Sequence, residues 1–524
     1  MKKINLFVFS AIFAAALVYV GCNNNPAEPA KPVCKPGDPC YVDTTKPPVC
    51  KGDSCDTDTS VTPPVPPECK PGDPCDTIGQ PPVCKPGDPC DTSSHVEPSG
   101  PGAWDPVWSC PSGVSAGGLD LAKDNLGLDS HYVVIKFNNG AAPTATFSDK
   151  GVKGDINIQG EHVSLDVHFW YESNEDAAGN LILYNIILTG TAVNGSLTVT
   201  GAGRNKFYLN GIDITNPNGP AINIQNGKRA EIHLVGSCDK RNKLKGAGHD
   251  VPEGKPQAKA AFFSEGSLVF GGTGSLEVRS TEKHAVVSDG FIEMESGNII
   301  IYESKSDGLH ANERIVIKGG KLQIKCEGDA IQNERKTAGK EAAPCPITVS
   351  GGDIKIRTTG VKGHGIVSDS NDVIITGGET TKIDITLTGN GSKGIRSRGS
   401  VKISGATTYL EAYGARESLS DDTSSAAGIK ADGDVEITKG ILTIKSVRAN
   451  ENGKGLNIDG DLKISGGTTK IASDGDGVKV RGSVNMSGGY LEAKSANKQD
   501  VDCGGKVNKS GSATLVAEKI KQGS

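Results

Sequence analysis

The sequence predicts an all-β protein: a single-stranded right-handed parallel β-helix of about ten recognisable coils, following a disordered stalk. Three observations predict it. First, a six-residue word returns as HAVVSD (284–289), DGLHAN (307–312), DAIQNE (329–334), HGIVSD (364–369), KGIRSR (393–398), AGIKAD (427–432), KGLNID (454–459) and DGVKVR (476–481). Where no loop intervenes the interval is 22 or 23 residues, as between His284, Asp307 and Asp329. Second, runs such as RIVIKGG and KLQIKCE alternate Ile, Val or Leu with polar residues, the period of a strand with one buried face. Third, Gly-Gly or Ser-Gly-Gly separates the runs and supplies tight corners. Three short strands per repeat fit one coil, with equivalent residues stacked about 4.8 Å apart. An antiparallel sandwich is the competing fold, but it would not hold one word in register for so long.

Residues 1–21 open with a basic segment and an apolar run too short and too early to span a membrane, which reads as an export signal. The run ends in Val20-Gly21-Cys22, which resembles the lipobox of bacterial lipoproteins, with Cys22 as the lipid attachment residue. Tyr19 departs from the usual leucine, and ordinary secretion is the alternative. The expected location is exported and lipid-anchored, on the outer membrane or cell surface.

Residues 22–117 read as a Pro/Cys-rich low-complexity linker, with CKPGDPC at 34–40, 69–75 and 84–90 and CKGDSC at 50–55. Such a composition buries too little apolar surface to offset its conformational entropy. In an oxidising compartment its cysteines are expected to close small loops: Cys34–Cys40, Cys50–Cys55, Cys69–Cys75 and Cys84–Cys90. Metal half-sites are the alternative, but the spacing is not that of zinc ribbons. Residues 118–205 have less regular strands and are assigned to an N-terminal cap and first coils, and 206–520 to the solenoid proper, closed by ATLVAEKI at 513–520.

Charge excludes one class of partner. The linker holds 6 Lys against 13 Asp and Glu, so most of the net charge of −6 resides there and the body is nearly neutral. A nucleic-acid partner would need a basic face. The oligomeric state is left open by the sequence, with a monomer as the expectation.

The phrase FYLNGIDITNPNGPAINIQNGKRAEIHLVG (207–236), with SDGLHANERIVIKGGKLQI and GDAIQNE, resembles the exported bacterial carbohydrate-binding family of parallel β-helices. The resemblance covers roughly residues 130–510. It implies a fold similar to the family-nine pectate lyases, binding of cellulose or pectin-type polyuronates, and Ca²⁺ on the solenoid.

On such a solenoid Asp307 and Asp329 stand one coil apart at a corner, where a hard cation would relieve their repulsion. The expected calcium ligands are Asp307 and Asp329, with Asn312, Asn333 and Asp289 nearby and Asp474 with Asp476 as a second set. Solvated turn residues are the plain alternative. His310, Gln332, Arg396 and Lys430 fall in one outward row of hydrogen-bond donors suited to carbohydrate, and Trp170 and Tyr409 are the aromatic candidates for stacking on sugars. A lyase would need an acidic cluster and a basic residue to remove a proton. Here His284, His364, Lys393 and Lys454 interrupt the acids, and Lys393 is only a weak base candidate. The expectation is therefore a cell-surface lipoprotein that binds plant cell-wall polysaccharide without cleaving it. A pectate-lyase-like enzyme and an adhesive solenoid with a protein partner are the alternatives. Cys326 and Cys345, 19 residues apart, are expected to form a disulfide between coils, while Cys110, Cys238 and Cys503 are left unpaired by the sequence.

Overall fold

The computed structural model describes residues 132–523 except 149–153, 168–183, 237–240, 250–257, 335–343, 420–421 and 448–451. Every regular element among the described residues is a strand. One coil reads Leu309–Ala311, Ile315–Ile317 and Lys321–Cys326, and the next reads Ile331–Asn333, Ile347–Val349 and Asp353–Thr358. Each strand pairs in parallel with its counterpart one coil on, so that Leu309 lies opposite Ile331, Ile315 opposite Ile347 and Lys321 opposite Asp353. Strands that carry the repeated word make a 15-stranded sheet, and the other two strands of each coil make a 24-stranded one. The architecture is all-β, parallel-stranded and solenoid-like.

The larger sheet merges two faces because some strands run through the corner between them. Val401–Ala412 and Val435–Ser446 do so, with a register shift between Ser404 and Thr407. At that corner Gly320 has φ of +83°, and a Cβ there would lie 2.4 Å from the carbonyl oxygen of Gly297 in the preceding coil. Register puts Ala406 at the same corner, in the left-handed region at φ of 66°. That conformation is costly for any residue with a side chain.

Inward-facing apolar residues stack into continuous columns. Leu309, Ile331, Ile366, Ile395 and Ile429 form one, and all are at most 1% exposed. Burying each such side chain is worth about 1.5–3 kcal/mol, which holds the register that brings the words together.

The first strands reverse direction. Thr144–Phe147 pairs antiparallel with Tyr132–Asn138, and Gly154–Gln159 pairs antiparallel with Glu161–Val167. Such reversals cover edges that would otherwise template further pairing. Glu161 secures this end by accepting the N–H groups of Gly140, Val193 and Asn194 at 2.6, 3.1 and 2.8 Å. At the other end the strands shorten to Thr514–Val516 and Ile520–Lys521. There the buried Asp500 accepts N–H groups from Ser495, Glu518 and Lys519 at 2.8–2.9 Å. Burial opposes ionisation of Asp500, but these hydrogen bonds keep its carboxyl below the usual range.

Candidate functional site

The first residue of each word stacks at one corner, giving the column His284, Asp307, Asp329, His364, Lys393, Ala427, Lys454 and Asp476. Its members are joined by a repeated hydrogen bond. The N–H of Asp307 donates to His284 Nδ1 (3.2 Å), and that of Asp329 donates to Asp307 Oδ1 (3.0 Å). The N–H of His364 donates to Asp329 Oδ1 (2.7 Å), and that of Lys393 to His364 Nδ1 (2.9 Å). The strands that follow Asp307, Asp329 and His364 begin two residues later; the corner carbonyls still accept N–H groups of the preceding coil, but the corner N–H groups meet no backbone carbonyl. A side chain from the coil before supplies the missing acceptor, as buried backbone donors require. Asp and His interchange in the column because each offers a lone pair at the right reach.

Asp307 also gathers a second group of contacts. Its Oδ2 lies 3.1 Å from His284 Nδ1 and 3.0 Å from His310 Nδ1. The His284 and His310 rings are 5.0 Å apart between centroids. Gln332 Oε1 is 3.2 Å from His310 Nδ1, and Glu334 lies 3.9 Å from His310 Nε2. Burial works against ionisation of Asp307, but the hydrogen bonds with His284 and His310 prevail and hold it well below the usual carboxylate range. Burial, and after it the charge of Asp307, pushes Asp329 up to about 7. Burial, then the cations Lys393 and Arg396, keeps His364 well below an ordinary imidazole.

The expected calcium set does not assemble around this corner. Asn312 donates to Asp289 (2.8 Å), which also pairs with Lys259 (3.1 Å), at the far end of the short strands. Asn333 points into the core, where its amide donates to the Cys345 carbonyl (2.5 Å). Side chains alternate along a strand, so residues five and four positions after an aspartate do not return to it. What converges on Asp307 is one carboxylate oxygen and two imidazole nitrogens, whereas Ca²⁺ takes six to eight oxygens. Asp476 continues the corner column, its Oδ1 receiving the N–H of Gln499 at 3.4 Å. Asp474 lies half-buried two residues earlier, its N–H on the Ser446 carbonyl.

The outward row is brought together by register: His310, Gln332, Val367, Arg396, Lys430, Asn457, Lys479 and Asp502 are successive rungs. Val367 is a buried apolar rung that the sequence reading did not place there. It also missed the acids beside the row. Gln332 donates to Asp369 (2.8 Å), Arg396 and Arg398 each lie 3.6 Å from Asp369, and Lys430 pairs with Asp432 (3.0 Å) and Asp459 (2.6 Å). Arg481 reaches Asp459 (3.1 Å), and Lys479 pairs with Asp502. The signal was present in the last letter of each word, which is acidic in SD, AD and ID.

Other expected residues fall elsewhere. Tyr409 lies on the larger sheet, away from the donor row. Its hydroxyl and that of Tyr413 both donate to the buried Glu411, so it serves that carboxylate and does not extend the row. Lys393 is buried, with its ammonium donating to the Gly391 carbonyl (2.6 Å) and the Ser424 hydroxyl, which does not present it as a base. Cys326 is a free, buried thiol 3.4 Å from the Gly328 carbonyl, so the Cys326–Cys345 disulfide is not formed. A separation of 19 falls short of a coil: Cys345 lies beside Asn333 at the end of one face, and Cys326 ends a strand of another. Cys22, the linker cysteines, Cys110, Trp170 and Cys238 lie outside the described residues.

A parallel solenoid with a charged outward row defines a repeat scaffold. The chain belongs to the family described as carbohydrate-binding domain-containing protein, which matches residues 177–454, just over half of the sequence. A solved structure described as the polysaccharide lyase-like protein from C. thermocellum, gadolinium derivative, is similar at 16% identity, covering 68% of this chain and 97% of that one, with a TM-score of 0.32. No curated protein matches the chain.

Proposed function

We propose that this protein binds plant cell-wall polysaccharide along the outward row from Gln332 to Lys479, without cleaving it; His310, at the head of that row, is buried against Asp307. The observation that carries the reading is the row itself: polar and cationic side chains recur at one strand spacing, about 4.8 Å, interrupted once at Val367. In this reading the frame is a right-handed parallel β-helix, the hand that parallel crossovers almost always take. Arg396, Arg398, Lys430, Lys479 and Arg481 alternate with Glu334, Asp369, Asp432, Asp459 and Asp502, so cations for uronate carboxylates and acids for a bridging ion share one lattice, which favours a polyuronate over a neutral glucan. Calcium assists by joining uronate carboxylates to aspartates of the same lattice. Export and lipidation at Cys22 would hold the domain at the cell surface, with the linker as its spacer.

Retention of the full chain on polygalacturonate and on cellulose, with calcium or with chelator, tests this. Binding to polygalacturonate that weakens in chelator and in high salt, with no rise in the absorbance of unsaturated uronide, is the expected result. Steady uronide formation would turn the reading to a lyase. Failure to bind either polymer would sink it.

A further inference from the structure

We propose that His284, Asp307 and His310 form a binding site for a divalent transition metal of the zinc class, distinct from any calcium bound with polysaccharide. The three residues come from two consecutive coils: His284 from one corner, Asp307 from the corner above it, and His310 from the strand that follows. Their donor atoms all lie within 4.8 Å of one another. Two of the separations, 3.1 Å and 3.0 Å, run from imidazole nitrogens to the same carboxylate oxygen. Ligand atoms of a tetrahedral zinc site, with bonds of about 2.0–2.2 Å, stand roughly 3.3 Å apart, so a small adjustment admits an ion.

Hydrogen bonding alone does not satisfy the cluster. His284 Nδ1 faces a donor, the N–H of Asp307 at 3.2 Å, and an acceptor, Asp307 Oδ2 at 3.1 Å. A neutral ring nitrogen donates or accepts but does not do both, so one contact is unmet in either tautomer. A cation between Nδ1 and Oδ2 turns the meeting of two lone pairs into shared coordination, with the Asp307 N–H as the contact given up. Two imidazoles with one carboxylate suit zinc, nickel, cobalt or iron, and they are poor company for calcium. Around them, Gln332 Oε1 stands by as a fourth ligand, and Glu334 lies 3.9 Å from His310 Nε2, where an outer carboxylate orients a metal-bound imidazole. The side chains of His310 and Asp307 are 7% and 10% exposed and that of His284 is 17% exposed, which leaves an entry path from the His284 side.

Chelator-stripped full chain, with accessible thiols alkylated so that cysteine cannot compete, would be titrated with Zn²⁺ and with Ca²⁺ by calorimetry. One tight zinc equivalent is expected, undisturbed by excess calcium. The double variant His284→Gln/His310→Gln should lose it by on the order of 100-fold or more, while His364→Gln, one histidine further along the column, should retain it. X-ray absorption of the wild-type chain at one zinc equivalent gives an answer that does not depend on how the variants fold, and two imidazole ligands are expected. Absence of the tight equivalent, its persistence in the double variant, its displacement by calcium, or a shell without imidazole would each overturn the site.

Discussion

Two stretches of the same corner column meet the same need by different means. From His284 to Lys393 the corner N–H groups are received by side chains of the preceding coil: His284, Asp307, Asp329 and His364. At Ala427 and Lys454 they are received by backbone carbonyls, those of Ser392 and Ala426. There the preceding corner residues, Lys393 and Ala427, offer no side-chain lone pair, and the corner residue itself joins the ladder. Strand length alone does not decide the matter, since Lys393 also opens a five-residue strand and its N–H still goes to His364. An aspartate that looks like a ligand in sequence is first a substitute for a missing carbonyl.

The sharpest way to break this comparison is Asp307→Ala. It strands the Asp329 N–H and two imidazoles in a buried corner, and should cost about 2–4 kcal/mol, read as a lower urea midpoint. Lys454→Ala, on the same column, leaves its N–H on the Ala426 carbonyl and should cost less than about 1 kcal/mol. Equal losses in the two variants would refute the distinction.

Asp500 tests the same device at the chain's end, and it does so through pH. Its carboxyl titrates below the usual 3.8 in the folded state, so the unfolded chain binds the proton first as pH falls. The stability it contributes is present above about pH 4 and drains away as pH drops through the folded value. Asp500→Asn should flatten that acid limb, measured as the urea midpoint between neutral pH and pH 3, and loosen exchange protection around Glu518 and Lys519.

Smaller effects belong to the outward face. Arg396→Ala should leave the unfolding midpoint nearly unchanged, since its pairing with the half-buried Asp369 is loose at 3.6 Å, yet weaken polygalacturonate retention by roughly fivefold. Tyr409→Phe should do the reverse. It leaves retention intact and costs about 1 kcal/mol of stability, because the buried Glu411 loses one donor.

Much of this was legible in the sequence. The repeated word fixed which residues stack, and register then placed Asp307 under Asp329 and aligned His310 with Gln332, Arg396 and Lys430. Period-two alternation suffices for that, since a one-residue slip would expose every buried Ile. What the word does not encode is where each short strand starts. That decides whether a corner side chain caps a backbone group or is left to coordinate an ion. It is why Asn312 and Asn333, near the aspartates in sequence, end at the far side of the strand. Coil length misled in the same way for Cys326 and Cys345, because spacing along the chain does not say which face a residue occupies. Val367 was missed because the eye follows donors, and an apolar letter in the same slot reads as core.

That valine has a consequence for ligand size. It divides the row into a tract ending at Gln332 and another starting at Arg396, two strand spacings, or about 9.6 Å, apart. A ligand short enough to lie within one tract gains nothing from the other. One long enough to step over the bare rung holds both ends, and its second attachment becomes intramolecular. Affinity plotted against oligomer length should therefore climb in a step, which would make the face a gauge of polymer length as much as of sugar identity.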